Sequence, residues 1–466
     1  MNSRDLLTAA AHHAADFLAT LPEARVEADV LDVEAMREAL AVPLADGPTE
    51  SRVVLDELVA AASPGIVRSQ SPRYFGFVIG GAMPAAIAAD VMAAAWDQNA
   101  GGYALSPAAA VAEEVAGAWI AELLGLPPSA SFGLTTGCQM AHVTCLAAAR
   151  HAVLADAGWD VDAGGLQGAP RVRIVVSEER HVTIDRAARL LGFGNDALVP
   201  VAVDAEGRME VAALRAALAE GEGPTIVCAQ AGDVNTGGFD PLGEIVDAGH
   251  AADAWVHVDG AFGLWAAVSA RHRHLVDGAE RADSWATDAH KWLNVPYDCG
   301  LAFVARPGPH ATAMSASAAY LKFAQHGERD GCAWVPDFSR RARGFAVYAA
   351  LRSLGRTGVA ELVERCCACA RRFAEVLAAE PRVAVLNDVV LNQVLVRFDD
   401  DDDVTDAVVA AVQAEGTCWM GSTTWRGRRA MRISVANWAT RLSDVDRSCA
   451  AILDAVRAPL APPRSR

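Results

Sequence analysis

The run Thr225-Ile226-Val227-Cys228-Ala229-Gln230-Ala231, a helical stretch at 241–252 and the run Trp255-Val256-His257-Val258-Asp259-Gly260 follow one another closely. Strand, helix and strand in that order, with the strands apolar on both faces, is the pattern of a parallel sheet covered by helices. Outward from this unit, 171–177 and 300–305 read as further buried strands, and 138–154, 183–191 and 212–219 as further helices. In such a sheet ligands lie beyond the carboxyl ends of the strands, so residues ending these runs are the first candidates for chemistry.

The flanks divide the chain into three parts. Residues 1–70 read as an N-terminal helical arm with helices at 5–20 and 33–40, 71–345 as a large domain, and 346–466 as a smaller α+β domain. A long helix at 344–378 leads into the last part, followed by strands at 383–386, 390–398 and 430–435 and helices at 404–415 and 443–456. The aspartate run 399–403 reads as a solvated loop ahead of a helix, without the alternating ligands of a calcium loop.

A chain of 466 residues with 52% hydrophobic content can build the cores of about two to three domains. A net charge of −18 argues against nucleic acid or an anionic membrane as partner. The apolar stretch 83–96 is broken by Asp90, so no membrane span is expected, and Asp5, His12 and His13 do not suit a secretory signal. Ten cysteines form neither a disulfide framework nor paired Cys-x-x-Cys ligands. Cys366, Cys367 and Cys369 read as small packing residues of a reduced, cytoplasmic protein, and no metal is expected.

Only two lysines, Lys291 and Lys322, stand among the 40 Lys and Arg residues. Arginine replaces lysine as a solvated cation, but it neither loses its proton near neutral pH nor forms an imine with an aldehyde. Lys291 sits in Thr287-Asp288-Ala289-His290-Lys291-Trp292-Leu293-Asn294, where only Asp288 is a neighbouring acid. Its retention points to amine chemistry; Lys322 reads as a surface charge. Three other elements lie at strand ends. Gly137-Cys138-Gln139 opens a helix, as an ordinary glycine turn or a cradle for a phosphate. Asp259 ends a buried strand in His257-Val258-Asp259-Gly260-Ala261 and therefore needs a cation, from a cap or internal ion pair or from a protonated ring nitrogen. His181, after the strand 171–177, is either a satisfied polar residue or a flat ring able to stack on a cofactor. Cradle, acid, stacking ring and amine together are what pyridoxal 5'-phosphate needs from a protein. Lys291 follows Asp259 at about the distance of one helix-and-strand crossover, by way of the stretch 282–289.

These residues resemble those of the group II pyridoxal-phosphate-dependent amino-acid decarboxylases, which include the aromatic-L-amino-acid decarboxylases. The similarity runs from about residue 50 onward. It is carried by Asp283-Ser284, Asp288-Ala289-His290-Lys291-Trp292-Leu293 and Pro296-Tyr297-Asp298-Cys299-Gly300. Pro72, Tyr74-Phe75, Ser106-Pro107, His257-Val258-Asp259 and Arg432-Ile433-Ser434-Val435 add to it. The resemblance implies an α/β enzyme of fold type I, with a mainly parallel seven-stranded sheet and a smaller α+β domain. It implies Lys291 as the imine lysine, Asp259 on the pyridine nitrogen, His181 on the ring, and Gly137, Cys138, Gln139 and His290 around the phosphate. Ala261 and Asp288, within the same motifs, join the expected cofactor-binding set. The partner is then an amino acid, the product an amine and CO2, and the protein a homodimer whose N-terminal segments wrap the partner near the active sites.

The chain departs from the family in three places. Cys138 and Gln139 replace the smaller or hydroxyl-bearing residues usual in the phosphate loop. Phe77-Val78-Ile79-Gly80-Gly81 is glycine-rich where relatives acting on aromatic substrates are bulkier. The segment 322–343 lacks the tyrosine with which the family's mobile loop returns a proton to carbon; Trp334 is its most prominent ring. Tyr320, His326 or a water is then left to supply the proton. Failing that, the same scaffold would act as an aldehyde synthase, aminotransferase or lyase. A dinucleotide oxidoreductase is disfavoured because no Gly-x-Gly-x-x-Gly turn closes a first strand, and a non-catalytic binding protein because both Lys291 and Asp259 are kept.

Overall fold

The computed structural model describes residues 2–316 and 327–458. Seven strands form one sheet: β1 (Ser131–Thr135), β2 (Arg173–Ser177), β3 (Leu198–Val201), β4 (Thr225–Gln230), β5 (Trp255–Asp259), β6 (Ser284–Asp288) and β7 (Gly300–Val304), in the order β1-β7-β6-β5-β4-β2-β3. Neighbours among β2 to β6 run parallel, and β7 runs against both β1 and β6. Alternate residues of each strand enter opposite cores. Val175, Val227, Val256 and Val258 pack on one side with Trp265 and Trp285. Ile174, Val176, Ile226 and Cys228 pack on the other against the helix Cys138–Asp156. Burial on both faces makes these strands read as continuous apolar runs.

The reversal of β7 has a simple cause. Only residues 289–299 separate β6 from β7, too few for a helical crossover, so the chain must turn back on itself. The link from β5 to β6 also departs from expectation: it carries the short 3-10 turns Gly263–Val268, Arg273–Val276 and Ala279–Arg281 in place of a helix. Two strands escape a sequence reading because they are edges. β3 contains Pro200, which only an edge strand accommodates, and β1 contains Gly133, whose missing side chain makes room for the carbonyl of Trp334.

The arm holds helices Ser3–Thr20 and Val33–Leu40, and a third, Ser51–Ala62, that the spacing did not announce. After the helix Gly344–Ala378, kinked at Gly355 (φ 61°), come β8 (Val383–Val385), β9 (Gln393–Phe398), β10 (Gly421–Trp425) and β11 (Arg428–Ser434). These four are antiparallel in the order β10-β11-β9-β8 and are covered by helices Asp402–Glu415 and Leu442–Arg457. Cys366, Cys367 and Cys369 are free thiols in this core. Among the described residues no helix is long and apolar enough to cross a membrane.

One buried ion pair ties the segment after residue 327 to the sheet. Arg340 Nη1 lies 2.9 Å from Glu113 Oε2, both side chains at most 2% exposed, and Arg340 Nη2 donates to the Leu134 carbonyl at 2.6 Å. Removing one member leaves the other charge stranded, at a cost of about 3–5 kcal/mol. Glu113→Ala should therefore lower the unfolding midpoint by that amount of stability in a denaturant titration; an unchanged midpoint would refute the role of the pair.

Candidate active site

The parallel strands bring their carboxyl ends to one edge of the sheet, where Gly137 follows β1, His181 follows β2, Asp259 ends β5 and Asp288 ends β6. Lys291 lies in the single helical turn Ala289–Trp292, its Nζ 3.0 Å from Asp288 Oδ2 and its side chain 20% exposed. Burial pushes the ammonium pKa down, but Asp288, Cys138 and Asp259 together outweigh it, so Lys291 titrates above an ordinary lysine.

The Lys291 turn is held from two sides. A Cβ on Gly80 would fall 1.7 Å from the Lys291 carbonyl oxygen, so only glycine lets segment 76–83 pass there. Asn294, at φ 54°, donates through Nδ2 to the carbonyls of Trp292 at 2.9 Å and Ala436 at 3.0 Å, and its Oδ1 accepts the Trp438 N–H at 2.9 Å.

Asp288 also reaches the helix start. Its Oδ1 accepts the Cys138 N–H at 2.6 Å, so a carboxylate occupies one donor of the expected phosphate cradle. Gly300 permits this approach, since a Cβ there would meet the Gly137 carbonyl carbon at 2.4 Å. His290 Nδ1 accepts the Cys299 N–H at 3.1 Å, which assigns its proton to Nε2, 3.5 Å from Asp288 Oδ1. The His290 ring packs on Tyr297 with centroids 4.4 Å apart.

Asp259 is 7% exposed. Its Oδ1 accepts the Ala261 N–H at 3.1 Å, and its Oδ2 lies 3.4 Å from His142 Nε2. Burial alone would raise its pKa, but His142, His181 and Lys291 together hold it well below the usual carboxylate range. The Cys138 thiol lies 4.0 Å from Asp259 Oδ1 and 3.4 Å from His142 Nε2. Burial and the two neighbouring carboxylates push that thiol far up, so it is not a nucleophile.

His181 caps the helix Val182–Leu190, its N–H donating to Gln230 Oε1 at 3.1 Å and its Nδ1 lying 2.8 Å from Thr183 Oγ1. Burial lowers its pKa against the pull of Asp259, which keeps the imidazole neutral. Gln139 Nε2 donates to the Thr183 carbonyl at 3.2 Å, binding the two loops together. Lys291, Asp259 and His181 each lie within electrostatic reach of the other two. All nine expected residues therefore belong to this one edge.

Sequence reasoning did not single out His142, which faces Asp259 from the helix one turn beyond Cys138. Two signals were available: the i, i+4 spacing from Cys138, and His257 sharing a strand face with Asp259 at i, i+2. Trp334 packs on His310 and Arg329, near β1 and apart from Lys291. Tyr320, Lys322 and His326 lie outside the described residues.

A half-buried amine and a buried carboxylate, with a neutral ring and a helix start between strands, fit an aldehyde-bearing, phosphorylated pyridine. Residues 34–399 match the family described as pyridoxal-dependent decarboxylase conserved domain. Tryptophan decarboxylase 1 of Oryza sativa subsp. japonica is 29% identical over 422 residues, 83% of this chain and 80% of that protein. L-2,4-diaminobutyrate decarboxylase of Rhizobium meliloti (strain 1021) is 31% identical over 384 residues, 80% of this chain and 74% of that protein. A crystal structure of Oryza sativa TDC with PLP and tryptamine has a TM-score of 0.90 at 25% identity, covering 98% of both chains. With the geometry of Lys291, Asp259 and the strand ends, these matches identify the chain as a member of the pyridoxal-dependent decarboxylase family, a carboxy-lyase that uses pyridoxal phosphate.

Proposed function

We propose that this protein removes CO2 from an aromatic L-amino acid to give the amine, with Lys291 as the amine that attaches the coenzyme and Asp259 at its ring nitrogen. The observation that carries this reading is the mutual electrostatic reach of Lys291, Asp259 and His181 at one sheet edge, with Asp259 buried and the other two half-buried. When bound, the coenzyme supplies an aldehyde for amines and a pyridinium that takes up the electron pair left by departing CO2. Asp259, held ionised, would face the ring nitrogen and keep its proton there. His181, a neutral imidazole, would lie against the ring. The backbone around Gly137, Cys138 and Gln139, with His290, Asp288 and Ala261, would hold the phosphate and ring. The protein acts as a homodimer; exposed Leu7, Leu31, Val42 and Leu44 in the arm support a partner surface there.

The aromatic substrate class rests on a wall of rings. Trp419 stacks on Tyr74 at 5.1 Å and on Phe77 at 5.8 Å, and the Phe77 ring is 60% exposed only three residues before Gly80, which abuts Lys291. A screen of aromatic, acidic and basic L-amino acids for CO2 release should give the highest kcat/KM to an aromatic member, and a preference for a charged one would overturn the assignment. A second reading is favoured by the absence of tyrosine from 322–343: the same substrate with O2 and water gives the aldehyde, CO2, ammonia and hydrogen peroxide. Equal amounts of amine and CO2, without oxygen uptake, would exclude it.

Lys291→Ala should cost about 10²–10⁴-fold in turnover, as for loss of a positioned acid–base group. Borohydride should fix the coenzyme to Lys291 and to no other peptide in a digest. Asp259→Asn should cost about 10²–10³-fold, with the fold intact.

The Lys291–Asp288 pair sets the pH dependence of loading. Coenzyme attachment needs the free amine, and Asp288 raises the pKa of the ammonium, so loading should accelerate as pH rises toward that value. In Asp288→Asn the whole profile should move to lower pH, read from the growth of coenzyme absorbance after mixing with the apoprotein. An unmoved profile would remove Asp288 from this role.

A further inference from the structure

Behind Asp259 runs a line of buried polar groups. His142 Nε2 lies 3.4 Å from Asp259 Oδ2, and His142 Nδ1 lies 2.9 Å from His257 Nε2. His257 Nδ1 lies 2.9 Å from Ser284 Oγ, which accepts the Trp255 indole N–H at 2.9 Å. His142, His257 and Ser284 are each 0% exposed, and they come from the helix Cys138–Asp156, β5 and β6.

With both imidazoles neutral, the carboxylate end fixes the direction of every bond behind it, and Ser284, which accepts the indole N–H, still has its own O–H to give. An indole N–H only donates and an ionised carboxylate only accepts, while a neutral imidazole offers one nitrogen of each kind. Burial above all lowers His257 to a pKa of about 3, so it stays neutral. Ser284 O–H therefore donates to His257 Nδ1, His257 Nε2–H to His142 Nδ1, and His142 Nε2–H to Asp259. The reverse polarity would turn a lone pair of His142 toward the carboxylate. Without this bond Asp259 would keep the Ala261 N–H, a weakly donating thiol and the charge of Lys291, and its burial would weigh more heavily toward the protonated acid.

We propose that His142, backed by His257 and Ser284, is a positioning residue that keeps Asp259 ionised and oriented, so that the coenzyme's ring nitrogen remains protonated. This rests on the role of Asp259 proposed above. His142 acts through Asp259 and does not itself touch the coenzyme.

The test is ¹⁵N NMR of the holoenzyme loaded with ring-¹⁵N-labelled pyridoxal phosphate, paired with the coenzyme dissociation constant. His142→Leu should move the nitrogen resonance toward its unprotonated position and weaken coenzyme binding by about 10–100-fold, the usual cost of losing a supporting hydrogen bond behind a ligand. His142→Asn, which retains an N–H donor, should restore most of both, and Ser284→Ala should shift both in the same direction by less. Thermal melting checks that each variant folds; should His142→Leu fail, His142→Asn and Ser284→Ala decide. A resonance and dissociation constant unchanged in Ser284→Ala and His142→Leu, while Asp259→Asn loses the proton, would overturn the relay alone. A nitrogen indifferent to Asp259→Asn would overturn the role of Asp259 beneath it.

Discussion

A carboxylate at the end of a central strand is the constraint around which this protein is arranged. Asp259 sits between β4 and β6, out of water, and an unpaired charge there would cost several kcal/mol. Its surroundings are the answer to that cost: a backbone N–H two residues on, an imidazole behind, and the charge of Lys291 on the open side. On the reading proposed above, the same arrangement that makes the acid tolerable in the fold would make it available to a heterocyclic cation.

Lys291 is placed by a second set of constraints. The turn that carries it is short, which forces β7 to run antiparallel and brings Gly300 back beside Asp288. Gly300 in turn lets the start of the helix Cys138–Asp156 close on the same spot, where Asp288 bonds both the helix start and the ammonium. The strand reversal, the glycine and the ion pair are thus consequences of one short connection. On the reading proposed above, Asp288 would hold the amine as a cation until the coenzyme arrives.

How far this was legible beforehand depends on whether the information was local. Lys291 could be recognised because the chain writes arginine almost everywhere else, and Asp259 because a charge ending an apolar strand demands a partner. The central strands β2, β4, β5 and β7 declared themselves by burial on both faces. β3 did not, since Pro200 is acceptable only at an edge that the sequence does not identify, and the 3-10 turns between β5 and β6 have no helical periodicity to read. The His142–His257–Ser284 line was hidden for a different reason. Its members come from three separated segments, each unremarkable alone, and only the sheet order makes them neighbours.

Asn294 carries a wider consequence. One amide fastens the backbone of the lysine turn to residues 436 and 438, just past β11. The catalytic turn and the C-terminal lobe are therefore mechanically one part, and neither can drift without dragging the other. Mutations among residues 436–438 would be felt at the turn that carries Lys291.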